Sequence, residues 1–336
     1  MTLGWAIVGT GRVHAVMAPA IRAASGAALT AVCGRDAARA AAFAQEHGAA
    51  RAYDRYDALL ADPEVDVIYI ASPNGLHAEQ ALRAAAAGKH VFCEKPLALT
   101  LDDCRRVIEA CAVARVKLGL GVMYRQHPAH IQARELVAAG TLGRIELVRA
   151  QLELAWRVEQ PDWYGHAALA GGGAVYMAGV HRIDLLRFML GDEVAEVAAF
   201  IGDTTSERPF EMSAMAMLRF VTGTRGLVHF DMTLPHGSNR IELHGSAGSA
   251  TLIDTDTAWW GGGGGALLVK TDAASVRHDF AKTDLYRAEV EDFVRAIRED
   301  RDPAGTGADG LRAAEICLAM YESGRVGRTV SLRPRA

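Results

Sequence analysis

The sequence is short of several things, and each shortage narrows what the chain can be. Cysteine is scarce. The 336 residues hold five, Cys33, Cys93, Cys104, Cys111 and Cys317, an odd number without CxxC spacing or a neighbouring histidine cluster. That pattern argues against a disulfide framework or a structural zinc site, and no metal site is expected, so the thiols read as reduced and mostly buried. Basic runs are missing too: the 36 lysines and arginines are scattered and the net charge is −4, which leaves no electrostatic footprint for a nucleic-acid or membrane partner. The opening apolar run, Leu3 to Val8, has no charged leader and is too short for a signal-peptide core or a membrane span, and the expected location is the cytoplasm. No segment repeats another.

What remains is a globular composition, 50% hydrophobic over 336 residues. A chain of that length exceeds what one core usually organises, so two domains are expected, 1–122 and 123–336. In the first, short β-branched runs at 3–8, 29–33, 65–71, 90–94 and 118–122, with a weak one at 50–53, alternate with Ala-rich segments at helical period, 12–24, 36–47, 56–61, 76–87 and 101–114. This is the signature of a doubly wound parallel sheet covered on both faces. Asp36 and Thr100 are placed to cap helices, and Pro19 falls inside one, where it should cost roughly 3 kcal/mol or force a kink.

Beyond 128–140 the pattern changes to consecutive strand-like runs, 144–155, 194–201, 212–220, 226–232, 240–244 and 250–253, interrupted by one clear helix at 180–190. Strands that follow one another without helices predict a mostly antiparallel sheet. The glycines of 261–265 read as a mobile hairpin or loop, since no helix follows them to bind phosphate. The closing stretch is helical, with apolar residues at Val290, Phe293, Val294 and Ile297 and again at Leu311, Ala314, Ile316 and Leu318, and is expected to pack back on one of the domains.

Directly after the first strand stands Gly9-Thr10-Gly11-Arg12-Val13-His14. Its first glycine permits a tight turn, and its second lets a pyrophosphate approach the backbone at the positive end of the helix. His14 holds the third position, normally Gly or Ala, and its bulk should loosen the packing of helix on strand. The second strand ends in Cys33-Gly34-Arg35-Asp36. Where an NAD-specific site places an acidic residue for the ribose diol, Gly34 leaves room for a 2′-phosphate and Arg35 supplies a cation to pair with it. NADP is therefore the expected cofactor, with NAD possible if Asp36 reaches the ribose instead.

Further motifs follow later strands: Ser72-Pro73-Asn74-Gly75-Leu76-His77, Cys93-Glu94-Lys95-Pro96-Leu97, Gly171-Gly172-Gly173-Ala174 and Gly179-Val180-His181-Arg182-Ile183-Asp184. Together with the opening turn they give a sequence that resembles the Gfo/Idh/MocA family of NAD(P)-dependent oxidoreductases along nearly its whole length. The resemblance implies an α/β protein: an N-terminal Rossmann domain, then an α/β domain whose open sheet often serves oligomerisation, here a homodimer or homotetramer. The active site lies in the cleft between the two domains in that family. It implies small substrates, sugars, polyols or related hydroxy compounds. It also implies that Lys95 touches the reacting oxygen at the nicotinamide, that Ser72, Asn74, His77 and Glu94 lie along the cofactor, and that His181 is the acid/base residue.

That reading agrees with the residues themselves, because ligands collect at strand carboxyl ends, where Lys95 sits, and an ammonium can stabilise a developing alkoxide. Asp184, three residues after His181 on a helical face, is placed to orient the imidazole or bind a substrate hydroxyl. Arg125, Trp163 and Tyr176, with Tyr124, His127 and Trp156, fall near the domain crossover or the glycine run and are candidate cleft residues, Arg125 for both cofactor and substrate. One departure from the family pattern matters. Many relatives carry an aspartate four residues before the histidine, where this chain has Met177. Asp184 substitutes for it, Lys95 carries more of the proton transfer, or the substrate is less polar. A second expectation is a dinucleotide-dependent sensor that kept the fold and lost catalysis.

Overall fold

In the computed structural model the described residues are 2–155, 162–204, 209–255 and 264–332, apart from the side chains of Arg12 and Asp162. Trp156 and 261–263 thus lie outside them. The chain forms two compact units, 1–123 with 284–311, and 124–283 with 312–336.

The first unit opens with β1 (Leu3–Val8), α1 (Arg12–Ala23), β2 (Ala27–Cys33), α2 (Ala37–His47), β3 (Arg51–Tyr53) and α3 (Tyr56–Leu60). It continues with β4 (Val67–Ile70), α4 (His77–Ala86), β5 (His90–Glu94), α5 (Leu101–Ala114) and β6 (Leu118–Gly121). The six strands are all parallel in the order β3-β2-β1-β4-β5-β6, the doubly wound Rossmann arrangement that the alternating pattern predicts. Strands covered on both faces must be apolar throughout, and every residue of β1 and β4 is buried. Asp36 caps α2 by accepting from the Arg39 N–H (2.9 Å), and Thr100 caps α5 by accepting from the Asp103 N–H (3.1 Å). Pro19 lies inside α1, and the helix continues past it.

The first closing helix, α9 (Leu285–Arg298), belongs to this unit. Its Phe293 packs on Trp5 and Phe92, with ring centroids 5.8 and 5.0 Å apart. That contact explains the Leu-Gly-Leu-Gly composition of β6. A Cβ at Gly119 would come within 2.7 Å of both Phe293 and Phe92, so a side chain there would expel the helix.

The second unit contains α6 (Pro128–Ala138), β7 (Ile145–Glu153), α7 (Ala167–Ala170) and α8 (Val180–Leu190), then β8 (Val194–Ile201), β9 (Ser213–Phe220), β10 (Arg225–Asp231), β11 (Asn239–Gly245), β12 (Gly248–Ile253), β13 (Gly265–Thr271), β14 (Ser275–Phe280) and β15 (Val330–Ser331). Helix α10 (Gly307–Val326) starts in the first unit and continues in the second. The nine strands run β14-β13-β12-β11-β7-β10-β9-β8-β15, antiparallel except where β7 and β10 pair in parallel. The sheet is therefore mostly antiparallel and not wholly so. Strands β13 to β15 escaped the sequence pattern for separate reasons. Gly265 of the glycine run is itself the first residue of β13, β14 is an edge strand with no buried residue, and β15 is only two residues long.

Burial alternates along β9 and β10, so one face of each joins the core and the other is open. Phe200, Met215, Met217 and Leu227 stand on that open face at 77%, 46%, 61% and 44% exposure. They are neighbours: Phe200 pairs with Met215, and Met217 with Leu227.

Candidate active site

The turn after β1 is built as a phosphate turn should be. Gly9 takes φ +114°, a conformation that strains any side chain, and its N–H donates to Cys33 O (2.7 Å). Thr10 and Val13 flank the turn half-buried. The first-turn N–H groups of the 12-residue α1 have no partner within their own helix, which suits a dinucleotide pyrophosphate.

His14 does the opposite of loosening this packing. Its ring is 3% exposed and folds back over the turn. Nδ1 accepts from the Gly11 N–H at 2.7 Å, and Nε2 lies 3.1 Å from Val8 O. An acceptor at Nδ1 leaves the proton on Nε2, so a neutral imidazole satisfies both backbone groups. Burial outweighs these two bonds and lowers its pKa to about 4. The ring fills the space above Gly9 that a third glycine would leave open.

At the end of β2, a Cβ on Gly34 would sit 3.2 Å from Thr10 Cγ2, so the two loops are close. Arg35 is exposed. Asp36 uses its carboxylate on the α2 cap. Sequence reasoning missed Arg39, whose guanidinium donates to Thr10 O at 2.8 Å. The available signal was its spacing, one helical turn after Arg35.

Beyond β4, Ser72 Oγ donates to Gln80 Oε1 (2.7 Å), and Asn74 opens a short 3₁₀ turn. His77, 1% exposed, bridges the loops after β4 and β5, with Nδ1 2.8 Å from Pro96 O and Nε2 2.9 Å from Ser72 O. Burial holds its pKa below the usual histidine value. The ring therefore ties down the loop that carries Lys95. Glu94 ends β5 and accepts from Tyr69 Oη (2.7 Å), and Lys95 follows it half-buried.

In the second unit His181 lies in the first turn of α8, behind a π-helical turn, Val175–Gly179. Extra residues of this kind often mark functional positions. The glycine run before it has a structural cause that sequence reasoning missed. Glu211, 4% exposed, accepts from the Gly173 N–H (2.9 Å), the Val175 N–H (3.1 Å) and Tyr321 Oη (2.7 Å). A side chain at Gly172 would collide with Tyr321, and one at Gly173 with Glu211. An anionic clamp thus fixes the start of the segment that carries His181.

The His181 ring stands edge-on to Tyr124, with centroids 5.1 Å apart. Asp184 is turned elsewhere. Its two oxygens take Arg125 in a bidentate pair (Nε–Oδ2 2.9 Å, Nη2–Oδ1 2.6 Å), and Arg187 lies 3.8 Å away. All three side chains are buried, and Arg125 also lies over the Phe188 ring. Arg125 and Asp184, both candidate site residues, are thus paired with each other inside this unit. Tyr176 is 1% exposed against Tyr321, and Met177 packs half-buried beside the core. Trp163 is half-buried and stacks on Tyr164, with centroids 4.0 Å apart. Among the described residues no three potential ligands could hold a metal, and no helix is long and apolar enough to cross a membrane.

Comparison with known proteins places these features in a family. Residues 3–122 match the family described as "Oxidoreductase family, NAD-binding Rossmann fold", and residues 130–251 match the "GFO/IDH/MocA C-terminal domain". The chain is similar to 1,5-anhydro-D-fructose reductase of Ensifer adhaerens, with 30% identity over 98% of each chain. It is also similar to D-xylose 1-dehydrogenase (NADP(+)) 2 of Haloferax volcanii, with 33% identity over 94% of each. Among solved structures, aldose-aldose oxidoreductase from Caulobacter crescentus, complexed with glycerol, superposes with a TM-score of 0.89 at 28% identity, covering 99% of this chain and 100% of that one.

Proposed function

The chain belongs to the Gfo/Idh/MocA family of NAD(P)-dependent oxidoreductases, and from that membership we propose that it is an NADP-preferring sugar or polyol oxidoreductase in which Lys95 and His181 handle the proton. The observation that carries the proposal is the position of Lys95. It stands at the carboxyl end of β5 in the same parallel sheet whose β1 end forms the glycine turn, and such strand ends are where doubly wound folds bind ligands.

The residues present fit a dinucleotide. Gly9, Thr10 and Gly11 would let its pyrophosphate approach the backbone, the first-turn N–H groups of α1, including those of Arg12 and Val13, would receive it, and Ser72, Asn74 and the Glu94-Lys95 segment would border it. When bound, the nicotinamide supplies the acceptor or donor of hydride. In the oxidative direction the substrate carbon loses hydride while its hydroxyl loses a proton. Lys95 holds that oxygen and offsets its developing charge, and His181 takes the proton. The reverse sequence reduces a carbonyl. Trp163 offers an aromatic face to a sugar-like substrate. Arg125 and Asp184 pair with each other, and Asp184 lies on the helix that carries His181.

The NADP preference rests on Gly34, the exposed Arg35 and the tethered Arg39, and a similar xylose dehydrogenase carries NADP(+) in its name. Lys95→Ala is expected to lower kcat by at least about a hundredfold with little change in NADPH affinity, measured by cofactor absorbance over sugars, inositols and keto-sugars. Undiminished turnover sinks the assignment. Arg35→Ala is expected to lower the preference for NADPH over NADH about tenfold or more.

We also place the protein in the cytoplasm, where its five buried free thiols stay reduced, and assign the apolar open face of β8 to β10 to a second copy of the chain. Met177, without a carboxylate before His181, favours one other reading, a catalytically silent sensor. A bound cofactor that no substrate in the same panel oxidises or reduces is its signature.

A further inference from the structure

The first unit contains a carboxyl group with no stated role. Glu289 lies on α9, is 4% exposed, and neither of its oxygens has a hydrogen-bond partner. Register shows what it faces. Phe92 and Glu94 project from the same side of β5, two residues apart. Glu289 and Phe293 share a face of α9, one turn apart. The Phe92–Phe293 contact at 5.0 Å therefore sets Glu289 toward Glu94, and Glu94 is the charged neighbour that acts on it most strongly. Beneath the pair, Gly121 supplies the room, since a Cβ there would lie 2.9 Å from Glu94 Oε1.

The two carboxyls are unequal. Glu94, half-buried, has Tyr69 Oη and the Lys95 backbone N–H as donors, and it feels the Lys95 ammonium. Glu289 has none of these. Among the described groups that act on it, none is a cation: Asp284 caps α9 through the Arg287 N–H, Asp292 is occupied by Arg301 and the Ala304 N–H, and Tyr69 and Tyr286 are phenols. Two carboxylates in such a place cannot both stay charged at moderate cost, and the proton goes to the one without donors.

We propose that Glu94 and Glu289 form a two-carboxyl proton site behind Lys95, in which Glu289 holds the proton and Glu94, a positioning residue, holds the charge that faces Lys95. Only its link to turnover rests on the reading of Lys95 given above. The proton site is a property of the cofactor-free chain. Burial and the Glu94 charge both raise the Glu289 pKa well above the ordinary carboxyl value, and burial raises that of Glu94.

Infrared difference spectroscopy of the full cofactor-free chain at neutral pH, wild type minus Glu289→Gln, tests the site. The expected result is a carboxylic-acid C=O band in the wild type that the substitution removes. A spectrum without such a band overturns the proposal. Glu289→Leu guards against a folding artefact. Because the folded pKa is raised, stability falls as pH rises from the unfolded carboxyl value through the folded one. The leucine chain is expected to lack that decline, and an identical decline in both chains overturns the proposal. Glu94→Gln is expected to move the pH profile of kcat/KM down by about one unit, and an unmoved profile overturns the positioning role. Lys95→Ala separates the two readings. It should lower turnover at least about a hundredfold and keep the band, whereas undiminished turnover refutes the role of Lys95 and leaves the proton site standing.

Discussion

The imidazole of His14 makes the turn after β1 sensitive to acid by a calculable amount. Burial holds its folded pKa at about 4 against 6.5 in the free residue. Between those values the unfolded chain binds a proton that the folded one refuses, so stability is intact above about 6.5 and is lost as pH falls toward 4. With these two values, lowering the pH from about 7.5 to about 5 costs about 2 kcal/mol. Protonation destroys the acceptor at Nδ1, so the Gly11 N–H loses its partner. His14→Ala removes the effect at its source. At about pH 7.5 it should destabilise by about 1–3 kcal/mol, since the Gly11 N–H and Val8 O lose the ring that now satisfies them. At about pH 5 the deficit should shrink by about 2 kcal/mol, because only the wild type then bears the histidine cost. Urea titrations of both chains at the two pH values provide the comparison. Burial also lowers the pKa of His77, His90 and His130, and their contributions are common to both chains and cancel. A gap between the chains that is unchanged by pH would refute the assignment of the proton and the two bonds.

Three other outcomes follow from buried partners and the open face. Asp184→Ala takes the bidentate carboxylate from the buried guanidinium of Arg125, while Arg187 keeps Glu193 at 2.6 Å, and should cost about 3–5 kcal/mol in thermal unfolding. Glu211→Ala removes an anionic acceptor shared by two backbone N–H groups and the Tyr321 hydroxyl, should cost at least about 2 kcal/mol, and should speed amide exchange over residues 173–181. Met217→Asp puts a charge in the middle of the apolar strip formed with Leu227 and Phe200. Light scattering is expected to report a smaller particle than the wild type, and equal masses would remove that face from the interface.

Much of the fold was legible because local chemistry specifies it. Apolar β-branched runs alternating with Ala-rich helical periods define a parallel sheet, and Asp36 and Thr100 cap their helices where their side chains predict. Glycine patterns were legible as positions without being legible as causes. Gly172 and Gly173 stand in the sequence as part of a family-like glycine run, and what they accommodate is Tyr321 and Glu211, one of them well over a hundred residues away. Gly119 and Gly121 in β6 make room for Phe293 and Glu94 in the same manner.

Residue types and spacing by themselves determined the doubly wound parallel sheet and the dinucleotide turn, and the resemblance of the written-out motifs gave the family and, with it, the candidate pair Lys95 and His181. These depend on contacts close in sequence or on motifs written out in full. Only the tertiary structure decided how individual charges are used. It assigned Arg125 and Asp184 to each other, turned His14 from a packing defect into a brace, brought Arg39 to Thr10 and set an unpartnered Glu289 against Glu94. A side chain's protonation and role depend on burial and on partners supplied by distant segments, and a sequence states the charge without stating what surrounds it.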